Sequence, residues 1–83
     1  MSGTMRTTVV IRKRGDLYIA DVQGMFGGGY QGATAGREPH DAATFASREM
    51  IRYGTCNKRG ASLVAPQEVT DLVPEHLRDI AAK

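Results

Sequence analysis

Side chains able to do chemistry are few in this chain and stand far apart. The imidazoles are His40 and His76, and the single thiol is Cys56. A structural zinc site needs about four ligands at short spacing, and Cys56 has no C-x-x-C companion. As a nucleophile Cys56 would need a depressed pKa and an oriented base. Its neighbours signal neither, so it reads as a loop or core thiol. The acids Asp16, Asp21, Asp41, Glu49 and Asp71 are scattered, with no pair spaced for shared acid–base work. Asp16 fits a turn, Asp41 the first turn of a helix, and His40 a solvent-facing position beside it. No catalytic residue, metal site or cofactor is expected, and the chain reads as non-enzymatic.

Glycine is the most conspicuous excess, at Gly24, Gly27, Gly28, Gly29 and Gly32. A phosphate-binding loop would follow its last glycine with Lys and Ser or Thr at the mouth of a helix. Here Tyr30 and Gln31 follow, and the next residues read as a strand. The run from Gly24 to Gly29 is therefore expected to be a flexible connection. Met25 and Phe26 within it are candidates for an apolar tip that inserts into a partner.

The remaining candidates are cations. Arg12, Lys13 and Arg14 fall near a hairpin tip, Arg48 and Arg52 one turn apart on a helix, and Lys58 and Arg59 in the loop beyond it. If they converge, they make a surface that contacts phosphates or acidic groups. No aromatic residue is interleaved among them, which argues against single-strand stacking. The net charge of +2 announces no nucleic-acid binder, but its distribution is uneven. Residues 1–14 hold Arg6, Arg12, Lys13 and Arg14 without an acid, whereas residues 60–83 hold Glu68, Asp71, Glu75 and Asp79 against Arg78 and Lys83. A solvated, mildly polarised surface explains this pattern better than a binding patch does.

The elements that would position these residues are legible in part. Thr7 to Lys13 is β-branched and reads as a first strand. Arg14, Gly15 and Asp16 make a turn, and Leu17 to Gln23 alternates as a second strand with Tyr18, Ala20 and Val22 on one face. That face is expected to meet the helix, since the other carries Asp21. Tyr30 to Ala35 makes a weaker third strand, interrupted by Gly32, and Gly36 opens the turn after it. A helix from Glu38 to Gly54 starts at Pro39, with Glu38 or Arg37 at the cap. Ala42, Phe45, Ala46, Met50 and Tyr53 share its inward face, and Gly54 is expected to end it in a left-handed conformation. Ser62 to Ala65 reads as a fourth strand stopped by Pro66. Val69 to Val73 is a fifth strand or an extended segment, and Pro74 begins a short helix carrying Leu77, Ile80 and Ala81.

Strands followed by a helix argue for an α+β fold in β-β-β-α-β order. Its antiparallel sheet of three to five strands would be packed by one main helix, with a short C-terminal helix. At 83 residues this is one domain, with residues 1–6 expected to be flexible. Hydrophobic content of 41% and charged content of 24% exclude a disordered chain. No apolar run approaches the ~18 residues of a membrane span. The first residues lack the apolar core of a signal peptide, and a lone cysteine fits a reducing compartment. Together these point to a soluble cytoplasmic protein.

Two family resemblances add to this. The glycine-led third strand, the AGREPHDAATFA approach to an alanine-rich helix ending in YG, and LVPEHLR near the C-terminus resemble a small phage-encoded anti-CRISPR inhibitor of type I-F. That resemblance implies a non-enzymatic protein which binds a CRISPR surveillance complex, a ribonucleoprotein, and blocks DNA recognition or nuclease recruitment. YIADV, a glycine-containing turn and GATAGREPHDAATFA are also similar to the strand–loop–strand–helix pattern of HicB-type antitoxin domains. There the family's Gly-x-T-x-x-E-A step is spread out, and His40, Asp41 and Ala42 replace its acidic-alanine residues. Three strands plus a helix describe double-stranded-RNA-binding folds too, so direct nucleic-acid binding is the alternative expectation.

Overall fold

The computed structural model describes residues 6–24 and 29–83. Strands β1 (Thr7–Arg14) and β2 (Leu17–Gln23) pair antiparallel from Thr8↔Gln23 to Arg14↔Leu17. The turn between them is Gly15 and Asp16, and Gly15 supplies the positive φ of 66° that the tight reversal needs. Strand β3 (Tyr30–Gly36) pairs antiparallel with β2, with register shifts on either side of Ile19–Ala20. Helix α1 (Pro39–Cys56) then crosses one face of the sheet and delivers β4 (Ala61–Val64) beside β1, in parallel register from Thr7↔Ala61 to Val10↔Val64. A parallel neighbour requires such a crossover, because a short turn returns the chain antiparallel.

The fold is α+β, with a five-stranded, mostly antiparallel sheet in the order β3-β2-β1-β4-β5. The core lies between sheet and helix. Val9, Ile11, Tyr18, Ala20, Val22 and Ala35 face Ala42, Ala43, Ala46, Met50 and Tyr53 of α1. The Tyr18 face of β2 meets the helix as its alternation predicts. The alanine-rich stripe lets α1 lie close to the strands. Pro39 takes the first helical position after Glu38 as N-cap, and Asp41 sits in the first turn.

Two expectations are corrected at the end of α1. Gly54 does not stop the helix, which runs on to Cys56 and is capped by Asn57, whose N–H bonds the Tyr53 carbonyl at 2.9 Å. Gly54 is instead a buried helical residue against Ile80. A Cβ there would come within 3.2 Å of the Ile80 Cβ and Cγ2. The glycine makes room for the chain's last strand. Cys56 accordingly is an exposed residue of the final helical turn.

The C-terminal quarter departs furthest from its sequence reading. Val69 is in a one-turn helix α2 (Gln67–Thr70), and Val69 and Val73 both plug the core. After Pro74 comes a 3-10 turn at Glu75–Leu77 in place of a helix, and then β5 (Asp79–Ile80) pairs antiparallel with β4. The unpaired edge of β4 offers backbone groups that a strand can satisfy and a surface helix cannot. Arg6 fixes this arrangement. Its guanidinium donates to Ser62 Oγ, the carbonyls of Ala61 and Ile80, and the Asp79 carboxylate. Arg6 is thus tied to the far edge of the sheet, and residues 1–5, grouped with it in the sequence reading, lie outside the described residues.

Candidate functional site

The predicted cations do not meet on one surface. Arg12 and Arg14 alternate on the face of β1 turned away from α1, whereas Lys13 is on the helix side. Arg12 pairs with Asp21 at 3.2 Å across the ladder. Asp21 also accepts from the Gly32 N–H at 2.7 Å. That backbone hydrogen bond, aided by Arg12, holds the Asp21 carboxyl below the usual range despite its burial. Asp21 therefore fastens the irregular β3 to the sheet, and Arg12, still half exposed, has a carboxylate partner. Lys13 has its Nζ 5.4 Å from the centre of the Tyr18 ring.

Arg48 and Arg52 lie on the outer side of α1, and Arg52 stacks on the Tyr53 ring at 5.3 Å. Lys58 and Arg59 belong to the turn between α1 and β4. There the Arg59 N–H bonds Asn57 Oδ1 at 2.9 Å, and the Lys58 carbonyl accepts from the Lys83 N–H at 2.8 Å. Met25 and Phe26 lie outside the described residues.

Two tyrosine–glutamate contacts organise the interior edges. Tyr30 donates to the carboxylate of Glu49, a residue of α1 only 9% exposed. Burial first, then this hydrogen bond, pushes the Tyr30 phenol well above its ordinary range, so it serves as a donor and keeps its proton. Tyr18 donates to Glu68 at 2.9 Å, its own pKa raised by burial and that bond. The Glu68 carboxyl is lowered by its own backbone N–H and by Tyr18. Both contacts lock elements together: β3 to α1, and β2 to α2.

Among the described residues no group of three or more His, Cys, Asp or Glu side chains lies close enough to hold a metal ion. His40 and Cys56 stand near opposite ends of α1, about 24 Å apart at 1.5 Å per residue, too far for a thiol–imidazole pair. Among the described residues no helix is long and apolar enough to cross a membrane.

What sequence reasoning missed is an apolar trough on this outer side of α1. Ile51 and Leu72 are each 52% exposed. They line one open trough of about 260 Å³ together with Ala43, Ser47, Arg48 and Pro74. Ile51 carried the available signal. It falls outside the inward stripe Ala42–Ala46–Met50–Tyr53, so an aliphatic side chain there has no core to enter. Leu72 gave none, because its placement depends on the unforeseen α2 turn.

Compared with known proteins, the chain matches no family model, and no curated protein matches it either.

Proposed function

We propose that this protein acts by binding, as a non-enzymatic inhibitor that occupies the surface of a nucleoprotein complex. A CRISPR surveillance complex, which the resemblance to a type I-F inhibitor implies, is the first candidate partner. The observation that supports a contact role is the convergence of Ile51, Leu72 and Arg48 on one side of α1. Large apolar side chains left in water beside a cation are the composition of a protein interface more than of an idle surface. The test is target-DNA binding and cleavage by a purified type I-F surveillance complex with saturating protein present. Inhibition is expected, and normal binding and cleavage would reject the reading.

A second reading is a HicB-like antitoxin or nucleic-acid-binding domain. Its support is the succession β2, loop, β3 and α1, which runs through the YIADV and GATAGREPHDAATFA segments. The separation of Arg12, on the sheet face turned away from α1, from Arg48, on the outer side of α1, weighs against a phosphate track. Salt-dependent binding to duplex RNA or DNA that weakens with Arg48→Glu, Arg52→Glu or Lys58→Glu would favour this reading. No binding at low salt would remove its nucleic-acid form.

A further inference from the structure

The outer face of α1 has already satisfied its hydroxyls. Thr44 Oγ1 donates to the His40 carbonyl at 3.0 Å, Ser47 Oγ to Ala43 at 2.7 Å, and Thr55 Oγ1 to Ile51 at 2.6 Å. Each hydroxyl proton is used one turn back along the helix, so covering this face strands no hydroxyl donor. The surface between them is apolar in effect, with Ile51 on one wall of the trough and Leu72 and Pro74 on the other.

Arg48 is the cation of the lining, and no carboxylate lines it. Arg48 forms no ion pair or ring contact among the described residues, whereas Arg6 and Arg12 have carboxylate partners and Arg52 has the Tyr53 ring. Arg48 and Ile51 are three residues apart, about 4.5 Å along the helix axis. Side chains three or four apart on a second helix have a matching separation.

We infer that this trough docks a helical segment of a partner protein, with an aliphatic side chain between Ile51 and Leu72 and a carboxylate one turn away against Arg48. The inference rests on the binding reading above and names the surface and the chemistry of the segment it takes.

The test uses the full chain and a displayed library of helical peptides of about 14 residues, long enough for four turns. Enriched peptides are expected to carry Glu or Asp three or four positions from Leu, Ile or Met. A labelled winner should bind at least about tenfold more weakly to Arg48→Glu and to Ile51→Glu, because one variant repels its carboxylate and the other charges its apolar slot. Both positions are exposed, so unchanged urea midpoints will separate lost binding from lost folding. No enrichment, enrichment without an acidic bias, or equal binding by the variants would overturn the inference. So would a wild-type dimer that Ile51→Glu makes monomeric, since a second copy would then own the trough. The peptide assay contains no surveillance complex. Inactivity against that complex with a positive peptide result would therefore remove only the proposed target.

Discussion

Substituting Gly54 with alanine tests how closely the last strand is built into the fold, because two opposite effects meet at one atom. Alanine in a helix interior is favoured over glycine by about 1 kcal/mol. The new methyl would press on Ile80, whose Cβ and Cγ2 lie within 3.2 Å of the methyl position. Overpacking of this kind costs roughly 1–3 kcal/mol. Compression wins, and Gly54→Ala should lower stability by about 1 kcal/mol, or about 4–8 °C in Tm for a domain of this size. Ile80→Ala removes the obstacle, and in that background the same substitution should raise stability by about 1 kcal/mol. The coupling between the sites is then about 2 kcal/mol, within the range seen for residues in direct contact. Urea denaturation of the four proteins measures it. If Gly54→Ala stabilises both backgrounds equally, β5 does not seat against α1 and the reasoning fails.

Other expectations follow from the same contacts. Tyr30→Phe leaves the buried Glu49 carboxylate without its donor and should destabilise by about 1–3 kcal/mol. Adding Glu49→Leu should recover part of that loss in the same denaturation experiment. Because the Asp21 carboxyl is held below its ordinary range, its contribution is complete above the unfolded pKa of about 4 and fades as pH falls through the folded value. The stability gap between wild type and Asp21→Asn should therefore narrow on acidification below about pH 4, and a gap that widens would contradict the assignment. Arg6→Ala should speed hydrogen exchange at Leu63, whose N–H bonds the Arg78 carbonyl, while changing global stability by no more than about 1 kcal/mol.

The parts of the fold that were legible in sequence are those set by local periodicity. Alternation in LYIADVQ and the Gly15–Asp16 turn specify the β1–β2 hairpin and the face it buries. The three-and-four spacing of Ala42, Ala46, Met50 and Tyr53 specifies α1 and its stripe. Non-local choices were not legible. Nothing within ASLV tells a parallel neighbour from an antiparallel one. Leu77 and Ile80 have helical spacing, yet the unpaired edge of β4 draws Asp79 and Ile80 into a strand. Gly54 looked like a terminator because glycine favours that role, whereas here it answers a close approach by a residue 26 positions later. The candidate surface failed for a related reason. Arg12 sits on a strand and Arg48 on a helix, and only tertiary structure shows that one is paired with Asp21 while the other has no partner carboxylate among the described residues.

The Arg6 contacts also bring the two ends of the described fold together. The Arg6 guanidinium, just before β1, donates to the Ile80 carbonyl in β5, so the first described residue and the last strand are in contact. A circular permutant with those ends linked and new termini cut at Gly15–Asp16 would keep every strand of the sheet intact. The order of secondary-structure elements along the chain would change while the architecture stayed the same.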